Sequence, residues 1–363
     1  MRTKAKARKA SPRNHSGKRT ARPKSSAAKN KTVALATRPQ FDDLGLVHPE
    51  MRESTVAALE VFEALPPLSD ATLPEFRAMM QGFARPLLDG IPAERRLISG
   101  PRGHKIPVVI INARPGTNRP VIFHTHGGGF VGGAPIYDAP VYQDIAAKLD
   151  CVVVSVDYRL APEVGWRTCV GDCHAALKWV HRNASEIGVD RSRIAVMGES
   201  AGGCLATLVA IEARDRGEVP LALQVLIYPM LDDRTGTNRK IAPHVGNMIW
   251  TRESNRYGWG SYLGMKPGGR GVPAAAVPAR VANLTGVAPA FIGIGTLDLF
   301  IDENLEYARR LIAAGVPTEL HVVPGAVHGF DEFSPDSPMV QRFVTAKLDA
   351  IRRAFGLPVS GST

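Results

Sequence analysis

Long apolar runs are absent from this 363-residue chain, and no stretch approaches the roughly 20 apolar residues that a membrane-spanning helix needs. The N-terminal segment also lacks the apolar core of a secretory signal. Cysteine is scarce as well, with four residues that do not suggest a disulfide framework. We therefore expect a globular protein of a reducing compartment, the cytoplasm, without a membrane partner.

The cysteine positions also exclude the usual zinc sites. Cys169 and Cys173 are four residues apart on one predicted helical face, but no further ligands accompany them. Cys151 begins a predicted buried strand, and Cys204 lies on a predicted helix. We interpret all four as small buried thiols and expect neither a metal nor another cofactor.

Acidic residues are missing from residues 1–38, which hold 13 of the 45 lysines and arginines. The remaining chain has 32 basic and 34 acidic residues, so its charge is nearly balanced and indicates little about a substrate. We predict a disordered basic tail over residues 1–40. A solvated extension is our preferred interpretation, a transit peptide is a weaker one, and nucleic acid or an anionic surface could bind only through this tail.

Apolar strands alternate with helical patterns from residue 91 onward. Residues 41–90 instead predict helices at 54–65 and 72–88. We predict strands at 95–98, 105–112, 120–125, 151–156, 194–197, 223–228, 290–294 and 319–323. The later helices are predicted at 137–149, 168–183, 202–213, 303–314 and 340–355. This order predicts a mostly parallel sheet with helices on both faces, formed by residues 91–231 and 286–357.

Residues 232–285 interrupt the alternation. They are polar, rich in glycine and proline, and contain Trp250, Tyr257, Trp259 and Tyr262. An ordinary surface loop of this length is unusual in a compact domain. We therefore interpret this insertion, with the helices of 41–90, as a cap over a site at one end of the sheet.

Ser200 lies in Gly198-Glu-Ser-Ala-Gly202, between an apolar strand and a segment compatible with a helix. A serine on such a sharp turn exposes its hydroxyl above the sheet. A base and an orienting acid are available after later strands, His328 in a loop after the last strand and Asp298 after the strand before it. The chain order serine, aspartate, histidine is that of a nucleophilic triad on an α/β sheet.

A glycine run, Gly127-Gly128-Gly129, follows the strand at 120–125. Glycines allow close backbone approach, so these N–H groups could stabilise an oxyanion together with the N–H of Ala201. We expect Gly128, Ala201 and either Gly127 or Gly129 to be the donors. A phosphate-binding loop is the alternative, but neither Gly-Lys-Ser/Thr nor a dinucleotide-binding glycine pattern is present.

These motifs together resemble the hormone-sensitive lipase family of α/β-hydrolases, which includes the bacterial family IV carboxylesterases. The resemblance covers roughly residues 90–355 and rests on five segments: His126-Gly-Gly-Gly129, Asp157-Tyr-Arg-Leu-Ala-Pro-Glu163, Gly198-Glu-Ser-Ala-Gly-Gly203, Asp298-Leu-Phe-Ile-Asp-Glu303 and His328-Gly-Phe330. It implies an eight-stranded sheet, a helical cap and hydrolysis of short-acyl esters without a cofactor. It also implies that residues 158–163 brace the site. Many members carry aspartate in place of Glu199, to which we assign at most a supporting role.

We expect a small-molecule ester as substrate and predict that Phe130, Trp250 and Phe330 contact it. The same triad could act on lactones, amides or acetylated sugars. A non-catalytic receptor of the same fold is a further alternative, although such a receptor would be expected to lose a triad residue and His328 is present. A homo-oligomer is compatible with the sequence.

Overall fold

The computed structural model describes residues 41–359, so the predicted tail at 1–40 lies outside the described residues. Eight strands run through the described part: β1 Ala93–Ser99, β2 Lys105–Ile111, β3 Arg119–Thr125, β4 Val152–Val156, β5 Val189–Glu199, β6 Leu223–Ile227, β7 Ala290–Gly295 and β8 Thr318–Val323. The helices are α1 Pro49–Glu63, α2 Leu73–Gly82, α3 Ala139–Leu149, α4 Trp166–Arg182, α5 Ala184–Ile187, α6 Ala201–Arg216, α7 Arg252–Leu263, α8 Ile301–Ala313, α9 Phe330–Phe333 and α10 Pro338–Phe355. Short 3-10 turns occupy Phe41–Leu46, Pro101–Gly103, Ala274–Ala276 and Pro278–Arg280.

The eight strands form one sheet in the order β1-β2-β4-β3-β5-β6-β7-β8. β2 runs antiparallel to both of its neighbours, and the strands from β4 to β8 are paired in parallel. This architecture confirms the predicted fold class. The central strands β3, β4 and β6 are buried along their whole length, as expected for strands covered by helices on both faces.

The sheet register places the ends of several strands at one edge. Glu199, the last residue of β5, pairs with Ile227 at the end of β6, and Ile227 pairs with Gly293 in β7. Because these strands are parallel, the loops that follow them emerge on the same side. Ser200, Asp298 and His328 all lie in segments that follow such strands.

Two helix predictions need correction. The helix predicted at 72–88 ends at Gly82, since glycine is a poor helix former and Pro86 disfavours helical backbone before it. The insertion at 232–285 contains α7, which the sequence analysis did not predict. Thr251 caps α7 by accepting a hydrogen bond from the Ser254 N–H at 3.3 Å.

The two predicted cap segments contact each other. The Tyr257 hydroxyl in α7 donates to Asp70 at 2.9 Å, and the Asn247 amide donates to Asp43 at 2.9 Å. Within residues 41–359, no helix combines the length and the apolar character needed to cross a bilayer.

Candidate active site

Ser200 occupies a strained turn between β5 and α6. Its backbone has φ 55° and ψ −120°, a conformation that residues other than glycine rarely adopt. Backbone contacts hold this conformation: the Ser200 N–H donates to Ile227 at 3.0 Å, and its carbonyl accepts from the Met230 N–H at 2.9 Å. The close approach of Gly202 to the Thr125 carbonyl leaves no room for a Cβ there. The turn is therefore fixed by its surroundings, as the motif predicts.

Two neighbouring loops carry the acid and the base. Asp298 follows β7, and one of its carboxylate oxygens accepts from the Phe300 N–H at 2.9 Å. His328 follows β8. Backbone hydrogen bonds join the loops, from Leu297 to Ala326 at 3.0 Å and from Thr296 to Val323 at 3.0 Å. The two side chains are thus held at a fixed separation.

A continuous hydrogen-bonded line connects the three predicted triad residues. His328 Nδ1 lies 2.8 Å from Asp298 Oδ2, and His328 Nε2 lies 2.9 Å from Ser200 Oγ. Asp298 accepts from Nδ1–H, which leaves the Nε2 lone pair directed at the Ser200 hydroxyl. Ser200 is 6% exposed, Asp298 1% and His328 8%, so the hydrogen-bonded line is shielded from bulk water.

The glycine run lies directly beside the nucleophile turn. A Cβ at Gly127 would lie 3.3 Å from the Glu199 carbonyl oxygen and 3.7 Å from the Ser200 Cβ. Gly128 has φ +108°, and a side chain there would collide with the Gly132 carbonyl. Among residues 41–359, no acceptor is found for the N–H groups of Gly128 and Gly129. Ala201 is the first residue of α6, where an N–H has no partner within the helix.

Residues 158–163 and α2 hold the glycine loop from outside. The Tyr158 hydroxyl donates to the His126 carbonyl at 2.9 Å, and the Ala161 N–H donates to the Phe130 carbonyl at 2.9 Å. Arg77 of α2 donates from Nε to the Val131 carbonyl at 2.7 Å and from Nη2 to the Ala161 carbonyl at 3.1 Å.

The same guanidinium forms two hydrogen bonds with the Glu163 carboxylate, at 2.7 and 2.8 Å. Arg77 therefore fastens the glycine loop and the 158–163 segment together. This role of Arg77 was not predictable from the sequence, because nothing local distinguishes Arg77 from other arginines.

His126 packs in the core under the glycine loop. Its ring stacks on Tyr158 with centroids 4.3 Å apart, and Nδ1 donates to the Gly127 carbonyl at 2.8 Å. Burial disfavours the charged imidazolium and lowers the pKa of His126 to about 4, despite the partly opposing effect of the Gly127 carbonyl. His126 is therefore neutral at physiological pH.

Acidification is expected to destabilise the fold through His126. Its pKa rises from about 4 in the folded protein to the ordinary value of 6.5 when the chain unfolds. Between these two pKa values the unfolded chain binds more protons than the folded protein. The contribution of neutral His126 to the free energy of unfolding is therefore fully present above pH 6.5 and is lost as the pH falls toward 4. The full effect is about 3 kcal/mol, measurable by urea unfolding at several pH values.

His126→Phe keeps an aromatic ring on Tyr158 and should show a shallower loss of stability as the pH falls from 6.5 toward 4, the interval between the two pKa values. His104→Phe replaces a histidine outside the core and should behave like the parent. An unchanged pH slope in His126→Phe would contradict this assignment.

Comparison with known proteins agrees with this geometry. A family model described as alpha/beta hydrolase fold matches residues 122–332, more than half of the chain. The chain belongs to the α/β-hydrolases. The matched range includes the glycine run and all three residues of the hydrogen-bonded line.

Named relatives of this α/β-hydrolase include two proteins of Mycobacterium tuberculosis. Esterase LipI is 36% identical over 238 residues, which are 64% of this chain and 72% of LipI. Carboxylesterase NlhH is 38% identical over 242 residues, 65% of this chain and 74% of NlhH. The solved structure titled Bacterial Heroin Esterase has a TM-score of 0.76 at 36% identity, covering 86% of this chain and 99% of that one. These similarities confirm the resemblance to the hormone-sensitive lipase family.

Of the three aromatic residues predicted to contact substrate, Phe130 and Phe330 need correction. Phe130 is 0% exposed and stacks on Tyr262 at 4.1 Å, because its backbone φ of 67° turns the ring toward the insertion. Phe330 is 1% exposed and packs against Phe343 at 5.0 Å. Both rings contribute to the core of this α/β-hydrolase rather than to an open site.

Trp250 does lie beside the triad. Its indole ring lies 6.4 Å from the His328 ring, and a Cβ at Gly129 would collide with it. The indole N–H donates to Asn255 at 3.2 Å. The preceding residue, Ile249, has φ 63°, an unusual conformation for a β-branched side chain. Trp250 is therefore held over the glycine loop by a constrained segment.

A buried cluster of polar side chains lies behind the nucleophile and was not predicted from the sequence. His124 interrupts the apolar sequence of β3, and its Nε2–H donates to Glu199 Oε2 at 2.8 Å. The Tyr142 hydroxyl donates to Glu199 Oε1 at 2.6 Å. The only local signal was a histidine inside an otherwise apolar strand.

Proposed function

We propose that this protein is a serine carboxylesterase that hydrolyses short-acyl carboxylic esters through an acyl-enzyme on Ser200. The observation that carries the proposal is the line from Ser200 Oγ through His328 to Asp298, with distances of 2.9 and 2.8 Å. Beside it lie glycine N–H groups that have no acceptor in the described part of the chain. The names of the relatives, esterase and carboxylesterase, support the reaction class.

In the proposed mechanism, Ser200 Oγ attacks the ester carbonyl carbon while His328 Nε2 takes the hydroxyl proton. Asp298 keeps the imidazole in the required tautomer and stabilises the imidazolium that forms. His328 then transfers the proton to the departing alkoxide, which leaves as the alcohol. Water attacks the acyl-enzyme with His328 again as base, and this releases the carboxylic acid and restores Ser200.

The carbonyl oxygen becomes negative in both tetrahedral intermediates. We assign its stabilisation to three N–H groups: those of Gly128 and Ala201, and that of either Gly127 or Gly129. The glycine loop approaches the Ser200 turn closely, and the Ala201 N–H lies at the positive end of α6. Such donors act strongly because the site is shielded from water.

We further propose that the segments 41–90 and 232–285 form the cap that limits substrate size. The contacts Tyr257–Asp70 and Asn247–Asp43 support this, since they join the two segments. Trp250 is the proposed substrate contact. It is 6% exposed and lies over Gly129, where it restricts the space next to the triad.

A series of nitrophenyl esters from acetate to palmitate tests the substrate class. We expect kcat/KM to be highest for the short acyl chains. Forcing extra methylenes into a packed site costs about 1–3 kcal/mol, so palmitate should react at least about five-fold more slowly than the best substrate. Absence of hydrolysis across the series would contradict the esterase proposal, and a maximum at palmitate would contradict the proposed substrate size.

Trp250→Ala tests whether this indole limits the length of the acyl chain. Removal of the indole should shift the optimum toward longer chains. Trp179→Ala makes the same change on α4, where the ring instead contacts Arg96 at 5.8 Å, and should leave the optimum unchanged. Equal profiles in Trp250→Ala and the parent would show that another element sets the limit.

The same triad could act on lactones, amides or acetylated sugars, and the esterase names of the relatives favour esters. A non-catalytic receptor is disfavoured because His328 is hydrogen-bonded to Ser200. The proposed reaction requires no cofactor. Four buried free thiols support a reducing compartment, the cytoplasm. Nucleic-acid binding through the basic tail and homo-oligomer formation remain separate hypotheses.

A further inference from the structure

Glu199 is an ionisable side chain in the core, one residue before the nucleophile. Glu199 is 9% exposed, His124 0% and Tyr142 3%. Burial alone would raise the pKa of the Glu199 carboxyl, but the nearby charge of His124 and the hydrogen bonds from His124 and Tyr142 outweigh burial and hold this pKa below its ordinary value. Burial and the Glu199 charge raise the pKa of Tyr142, which remains a hydroxyl donor.

These contacts connect elements that converge on the oxyanion site. His124 belongs to β3, which leads into the glycine run, and its Nδ1 lies 2.7 Å from Ser155 Oγ in β4. Tyr142 belongs to α3. Glu199 is the last residue of β5 and accepts from both His124 and Tyr142.

The two sets of proposed oxyanion donors lie on opposite sides of this connection. The glycine donors begin three residues after His124, and the Ala201 N–H follows Glu199 by two residues. Gly127 packs directly on the Glu199 backbone, with a Cβ position 3.3 Å from the Glu199 carbonyl. A shift of β3 relative to β5 would therefore change the distance between the donors.

Stability alone does not explain a charged group at this position. Replacing a buried ion pair with apolar residues of similar volume is often neutral or stabilising, because desolvation offsets much of the attraction. A charge-assisted hydrogen-bond pair does, however, define one geometry. The N–H donors of an oxyanion site must be held in fixed positions, since a displacement of about 1 Å can reduce the rate about 100-fold.

We propose that Glu199 is a positioning residue, whose carboxylate ties the strand leading into the glycine loop to the turn that carries Ser200. This inference rests on the proposed esterase function. In this role Glu199, His124 and Tyr142 fix the distance between the oxyanion donors in the transition state, and their side chains do not contact the substrate.

The test compares Tyr142→Phe, Glu199→Gln and the double variant in the full-length protein. Removing either contact should lower kcat about 10- to 100-fold and leave KM within about two-fold, because the donors are needed most in the transition state. The effects should be less than additive, because both changes disrupt one group. Affinity for a trifluoromethyl ketone, which forms a tetrahedral adduct with serine, should fall by the same factor as kcat.

Tyr307→Phe is the matched control. The Tyr307 hydroxyl is buried at 1% exposure and has no hydrogen-bond partner within residues 41–359. Its removal should leave kcat unchanged. Glu199→Asp keeps the charge but shortens the side chain by one methylene, so it should remain impaired. Full recovery of kcat in Glu199→Asp would show that charge alone matters and would overturn the bridging role.

Thermal melting identifies variants that do not fold. Tyr142→Phe leaves the hydrogen bond between His124 and Glu199 in place, so it tests the proposal even if Glu199→Gln is unstable. Parent-level kcat in folded Tyr142→Phe and Glu199→Gln would overturn the positioning role but not the esterase proposal. Lack of ester hydrolysis by the parent would contradict the esterase proposal itself.

Discussion

Replacing Ser200 with alanine is expected to lower kcat for ester hydrolysis by about 10⁶-fold, the scale of loss for a nucleophile that acts together with its base. The Ser200 hydroxyl lies 2.9 Å from His328 Nε2, which can accept its proton as the oxygen attacks the ester. The glycine N–H groups and Trp250 remain, so the variant should still bind substrate. Initial rates with nitrophenyl acetate, compared with those of the parent at equal folded concentration, measure the effect.

Ser192→Ala is the control for this change. Ser192 is exposed near the start of β5, at the opposite end of the strand from Ser200, and its hydroxyl donates to Asp190 at 2.6 Å. This variant should retain parent activity. Parent-level hydrolysis by Ser200→Ala would show that another group attacks the ester.

Replacing Asp298 with asparagine is expected to lower kcat about 10⁴-fold, as for the orienting acid of other serine triads. The carboxylate accepts from His328 Nδ1 at 2.8 Å and from the Phe300 N–H at 2.9 Å. An amide can present its NH₂ group to Nδ1, which then becomes the acceptor and places the proton on Nε2. His328 could then no longer accept the Ser200 proton.

The fold should survive this isosteric change, and KM should change little. Asp302→Asn is the matched control, since Asp302 is exposed in the first turn of α8. kcat and melting temperature are measured for both variants. An Asp298→Asn enzyme with more than about a tenth of the parent kcat would exclude the proposed role, because the tautomer argument requires a loss of several orders of magnitude.

Much of the sheet was predictable because its signals are local. The strands β2, β4, β6 and β7 are short and largely apolar, and the strand preceding Ser200 ends in a motif whose glycines fit a tight turn. The chain order of Ser200, Asp298 and His328 was also sufficient to predict that they meet. Parallel strands bring their following loops to one edge, and no side-chain detail is needed for that conclusion.

Other features depended on contacts between distant segments. Helix α7 contains Gly258 and Gly260, which lower its helix propensity, and it is stabilised by burial of Trp259 and Tyr262. Phe130 follows three glycines that allow many loop paths, so the direction of its ring could not be predicted. The partners of Glu199 likewise required the register of β3 and β5.

The Arg77 contacts have a consequence for the extent of the functional protein. Arg77 lies 45 residues before the segment 122–332 that the family model matches. Yet its guanidinium holds the carbonyls of Val131 and Ala161 next to the proposed oxyanion donors. The smallest piece of this chain able to preserve that loop must therefore begin upstream of α2. A truncation designed from family boundaries alone would retain every triad residue and still remove one support of the catalytic apparatus.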